Sequence, residues 1–158
     1  MDQSTTVTCS LLAIDHTNFC YKVCSGCERT LPETDDQFSS ICKFCNFNFS
    51  HSPPYKRLFR LLVSIATDKQ VKTVVCFDRA ARVLFGCSAD EFFRFANRNP
   101  LAAVTAGQIL EGEMIRITLT KPRNGNAQHL RVSSIVPLRS GFQPAIVTLR
   151  EYYGQRAP

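Results

Sequence analysis

The chain has 158 residues, enough to bury one real core. Its 44% hydrophobic and 20% charged content reads as globular, with no tract apolar enough to span a bilayer and no basic-then-apolar signal behind Met1-Asp2-Gln3-Ser4. Charge is uneven: residues 1–50 hold three Lys/Arg against six Asp/Glu, net −3, and residues 51–158 hold sixteen against seven, net +9. A basic body of this kind suits a polyanion partner, or is simply a solvated basic surface.

In chain order, Thr6–Ile14 alternates as a strand, Asp15–Asn18 is turn-like, and Phe19–Val23 is a short strand. It leads into Cys24-Ser-Gly-Cys27, which is followed by the polar tip Leu31–Asp36, the return Gln37–Ile41 and a second pair, Cys42-Lys-Phe-Cys45. Two Cys-x-x-Cys pairs separated by a hairpin's length can close a tetrahedral site of four thiolates, Cys24, Cys27, Cys42 and Cys45. Soft thiolates in that geometry favour Zn2+. With every position filled by protein, water and substrate have no opening, so one structural zinc per chain is expected. Doubled spacing without a secretory signal points to metal in a reducing compartment more than to disulfides. Cys9 and Cys76, in apolar runs, read as small core residues. His16, His51 and His129 show no partner pattern.

After a Pro-Pro stop at Pro54, Leu58–Thr67 places Phe59, Leu61, Val63 and Ile65 on one face and Arg60, Leu62 and Ser64 on the other. Val71–Phe77 is its hairpin partner. Asp78 is a candidate N-cap for a helix over Arg79–Phe85 that stops at Gly86. Ser88-Ala-Asp-Glu91 is a capping-box pattern, so a second helix should carry Phe92, Phe93 and Phe95 toward the core. Pro100–Leu110 reads as loop with helical turns. Glu111–Thr120 alternates Ile115, Ile117 and Leu119 inward against Arg116 and Thr118, and the Asn124-Gly125 turn leads to a return strand over Gln128–Leu138.

One strand, a metal hairpin, two strands, helices, then two strands is the connectivity of an OB-fold. The expectation is a mainly-β, five-stranded OB-fold barrel over 1–139, with helices between strands 3 and 4. A zinc-ribbon insertion at 19–50 lies between strands 1 and 2, and 140–158 form a C-terminal tail, a candidate partner-docking segment. An insertion too short for its own core gains from structural zinc, which supplies about 10–16 kcal/mol of apparent binding energy in small zinc modules.

Taken with Asn18-Phe-Cys-Tyr-Lys-Val-Cys24, Tyr55–Ser64 and Val74-Val-Cys-Phe77 running into Asp78–Gly86, the four-cysteine ribbon resembles one family. It is similar to the C-terminal single-stranded-DNA-binding domain of the replication protein A large subunit and its specialised paralogues, over about Thr5 to Arg139. The resemblance implies a nuclear module of replication, repair or recombination, binding single-stranded DNA and assembling with other protein subunits. It implies that Phe77 is a stacking residue, although a core role is the alternative. Thr73 and the Lys121-Pro-Arg-Asn124 hairpin stand where other aromatic platforms are expected, which predicts weakened binding.

Arg60, Arg116 and Arg131 lie on outward alternations, where guanidinium groups can meet phosphates or serve as ordinary surface residues. Lys121 and Arg123 flank the Asn124-Gly125 turn, and Lys56 and Arg57 at the ribbon exit can extend the same track. A second reading is a protein-interaction hub acting through the tail, with little DNA binding of its own. The end at Ala157-Pro158 reads as that of an excised piece. Catalysis is not expected, nor are a small-molecule substrate or a membrane partner. No His is followed two residues later by Glu, as a zinc deaminase requires. Asp35-Asp36 sits at the ribbon tip and Asp90-Glu91 in a helix's first turn, where capping explains it.

Overall fold

The structure, a computed structural model, describes residues 4–31, 55–122 and 129–154. Among the described residues, four strands precede three helices, and two more strands and a last helix follow: β1 (Ser4–Ile14), β2 (Cys20–Cys24), β3 (Tyr55–Ala66), β4 (Val71–Phe77), α1 (Asp78–Phe85), α2 (Ala89–Arg98), α3 (Ala102–Leu110), β5 (Met114–Thr120), β6 (Arg131–Pro137) and α4 (Ala145–Gly154). The strands expected from alternation are present with ends shifted by up to three residues.

Long strands that serve two partners bend the sheet. β1 pairs antiparallel with β5 along Ser4–Ser10 and with β3 along Ser10–Ile14, and an irregularity between Leu11 and Ala13 marks the handover. An extra residue at such a point sharpens the local twist. β3 pairs with β4 from Arg60 to Ala66 and with β2 from Tyr55 to Phe59. With β5–β6 antiparallel and β4–β6 parallel, the pairings run β1-β5-β6-β4-β3 and back to β1, a closed ring with β2 appended to β3. Where β3 leaves β4, its backbone donors are still used. The Phe59 N–H donates to Asp78 Oδ1 at 3.0 Å, and the Arg60 N–H donates to the Phe19 carbonyl at 2.9 Å.

The ring encloses the alternation read from the sequence. Phe59, Leu61, Val63, Ile65, Ile115, Ile117 and Leu119 are buried, together with Cys9 and Cys76. Burial pushes the Cys76 thiol up to about 12, so it behaves as a small hydrophobe. Helices close one side through aromatic rings: Phe85 lies 4.9 Å from both Phe59 and Phe92, and Phe19 meets Phe92 edge-on at 5.2 Å. Phe92 is fully buried, while Phe93 and Phe95 are half-buried.

Two helical features differ from expectation, and a third lies in the tail, where the sequence assigns no element. Asp78 is the first residue of α1 and not its cap, because its carboxylate is taken by the Phe59 N–H and by Arg82 Nε at 2.9 Å. Pro100–Leu110 contains a full helix, α3, whose Ala102, Ala106 and Leu110 are buried four residues apart. The tail forms α4, and its Ala145, Ile146 and Leu149 join the core. Tyr153 of α4 bonds Thr105 of α3 through their hydroxyls at 3.2 Å. Two expected signals are present as read. The Ser88 hydroxyl accepts from the Glu91 N–H at 3.1 Å, and α1 ends on Gly86 at φ 77°. A Cβ at Gly86 would stand 2.3 Å from Pro144 Cβ, so both conformation and space demand glycine. No helix among the described residues is long and apolar enough to cross a membrane.

Candidate nucleic-acid interface

The outer face of the β3–β4 pair carries the residues of interest, and strand register decides which of them meet. Directly paired residues of an antiparallel ladder share a face. Arg60 is paired with Phe77, Leu62 with Val75 and Ser64 with Thr73. Parallel pairing of β6 sets Arg131 opposite Val75, and its guanidinium lies over the Phe77 ring, 4.6 Å from the centroid. β5 brings Thr120 opposite Arg131, followed at once by exposed Lys121. Arg60, Phe77, Arg131 and Lys121, far apart in sequence, thus lie on four adjacent strands or at their ends. Phe77 is half-buried on this outer face, outside the buried core cluster.

β2 adds an aromatic that the sequence reading did not single out. Tyr21 is paired with Leu58, two residues before Arg60 and of the same parity, so its ring joins the same face. Burial pushes its phenol above the ordinary range. Asp78 and Glu28 push the same way, and Arg131 and Arg60 oppose them. Tyr21 therefore sits among two acids and the two arginines. Both acids are engaged elsewhere, Asp78 with Arg82 and Glu28 with Lys56 Nζ at 2.5 Å. Among the described residues Arg60 has no ion pair, so the face keeps positive charge where the aromatic rings are.

The remaining candidates lie apart. Arg57 shares the parity of Phe59, not of Arg60, and its guanidinium stacks over the Phe93 ring of α2 at 3.7 Å. Its backbone N–H donates to the Asp90 carboxylate at 3.1 Å. Lys56 is held by Glu28 beside the ribbon turn. Arg116 is exposed on β5 opposite Thr8 and Val136. Four residues of strand separate it from Thr120, about 13 Å. Arg123 and the Asn124-Gly125 turn lie outside the described residues.

At the end of β2 the chain turns through Cys24–Cys27. The Glu28 N–H donates to the Cys24 carbonyl, and the Cys24 N–H donates to the Arg29 carbonyl, both at 2.9 Å. Glu28, just after Cys27, has φ 62°. The Gly26 N–H donates to Cys24 Sγ at 3.3 Å. Cys24 is buried against Leu31, while Cys27 is exposed. An amide-bonded sulfur in a tight turn fits half of a structural thiolate site. Cys42 and Cys45 lie outside the described residues, so no group of three metal-ligating side chains occurs among the described ones.

The chain belongs to the Replication factor-A C terminal domain family, whose model matches residues 5–135. Two solved structures share the fold. One, of a replication protein A heterotrimer bound to ssDNA, superposes with a TM-score of 0.72 at 17% identity, covering 99% of this chain and 36% of that one. The other, of yeast RPA bound to ssDNA, superposes with a TM-score of 0.66 at 16% identity, covering 96% of this chain and 85% of that one. The chain thus spans little more than a third of the first. No curated protein sequence matches it.

Proposed function

We propose that this chain is a non-catalytic, single-stranded-DNA-binding module of a replication protein A-like protein, acting in the nucleus in replication, repair or recombination. The observation that carries the reading is the placement of Phe77 between Arg60 and Arg131 on one outer face. An aromatic ring offers a platform to any base, and guanidinium groups beside it meet the phosphates that follow. Family membership and the ssDNA-bound relatives of the same fold support it. The finer fold assignment belongs to the same reading: an OB-fold barrel with a ribbon insertion, tied by one Zn2+ on Cys24, Cys27, Cys42 and Cys45. The zinc would be structural, fixing the hairpin that follows β2, and no chemical step depends on it. The test is a titration of the chain with a single-stranded oligonucleotide at two salt concentrations, with zinc measured on the same sample. Binding that weakens steeply with salt is expected. Absence of binding to any single strand at low salt removes the proposal.

A second role, assembly with protein subunits, is compatible with the first. It is favoured by α4, which carries Tyr152 in its last turn at 48% exposure, and by the heterotrimer among the relatives. Deleting the tail is a poor test because Leu149 is fully buried. Tyr152→Ser, which leaves the core intact, is the informative variant. Unchanged subunit capture by it argues against docking through this residue.

A further inference from the structure

The geometry points to Tyr21 as a second base-stacking platform, so that a bound single strand crosses from β4 over β3 onto β2. The inference rests on the reading of this face as the strand-binding face and extends its footprint. Tyr21 and Phe77 flank β3 from opposite sides, each carried by a strand paired to it. Two strand spacings and one residue pair along β3 separate them by about 12 Å. Between them on the same face stand Leu58 and Arg60, the first apolar and half-buried, the second exposed and cationic. A strand laid along this line meets ring, guanidinium, apolar side chain and ring in turn. That order suits two stacked bases with a phosphate neutralised between them.

Tyr21 is held for the task from behind. β2 is paired with β3 through all five of its residues, and the Cys24–Cys27 turn fixes its far end. Its neighbours Cys20 and Lys22 have the opposite parity, and Lys22 is buried with its ammonium 4.2 Å from the Tyr55 ring centroid. Tyr21 alone of this stretch turns toward Arg60 and Arg131, whose charges reach its phenol. The two acids that also reach it are neutralised by Lys56 and Arg82.

Three variants of the full chain test the idea with an oligothymidylate as probe. Tyr21→Leu should weaken binding about 5- to 150-fold, the range for one lost stacked base, and Tyr21→Phe should bind like the parent. The chain has no tryptophan, so Tyr21→Trp supplies a unique fluorophore, and its emission should be quenched saturably with the same midpoint as binding. Thermal unfolding of each variant separates lost contact from lost fold. If the parent binds while Tyr21→Leu binds equally well, or if the tryptophan stays unquenched at saturation, Tyr21 is no platform although the proposed function stands. If the parent binds no single strand at low salt, both fall together.

Discussion

Two stretches of the same ring's outer surface have opposite chemistry. On β3, β4 and the start of β6 the outward positions include Arg60, Phe77 and Arg131, an aromatic ring between guanidinium groups, next to the pairs Leu62–Val75 and Ser64–Thr73. On β1, β5 and the middle of β6 they are mostly short hydroxyls, bonded to one another. The Ser134 hydroxyl donates to Thr118 Oγ1 at 3.0 Å, Thr6 and Thr118 are joined at 3.4 Å, and the Ser133 hydroxyl donates to the Thr118 carbonyl at 3.2 Å. Hydroxyls of Thr6, Thr118 and Ser134 thus take up one another's bonding capacity, that of Ser133 is taken up by the Thr118 backbone, and the strand cation described on this face is Arg116. The backbone geometry is common to both, so what separates the proposed binding face from the hydroxyl face is the side chains that register brings together.

Both faces hang on one core, and the largest expected effect removes both. Phe59→Ala empties the contact with Phe85 and Phe92 and should cost about 3–5 kcal/mol by denaturant melts. A loss below 1 kcal/mol would mean that the helices are not anchored through this ring. Next in size is the contrast between cations. Arg60→Gln and Arg131→Gln should each flatten the dependence of log K on log salt by about 0.7, one phosphate contact on a single strand. Arg116→Gln should leave it unchanged, and an equal change there would erase the distinction between the faces. The smallest effect belongs to the hydroxyl ladder. Thr118→Val should shift stability by about 1 kcal/mol or less and leave oligonucleotide affinity unaltered.

Much of the inward pattern was legible because alternation reports burial directly: Phe59 to Ile65 and Ile115 to Leu119 point where their period of two puts them. Parity also held a signal that went unused. Arg57 and Phe59 are two apart, so Arg57 could not share the face of Arg60. α3 was harder to see because its buried positions, Ala102 and Ala106, are small and weakly apolar, and only their spacing of four betrays the helix. The helix of the tail is not legible locally, because Ala145, Ile146 and Leu149 make an apolar stripe only when other helices lie against it. Asp78 misled because a cap and a partner for a distant amide look alike until β3 is in place.

By itself the sequence determined which residues turn inward along each strand, where α1 and α2 begin or stop, and that a cysteine turn follows Val23. These are local matters, set by alternation, capping chemistry and the conformational freedom of glycine. Only the tertiary structure decided that Arg60 meets Phe77, that Arg131 covers its ring, and that Tyr21 joins them. A one-residue slip of β2 or β4 would send those rings to the other face. Register between strands distant in sequence depends on closing the whole ring at once, and no local pattern contains it.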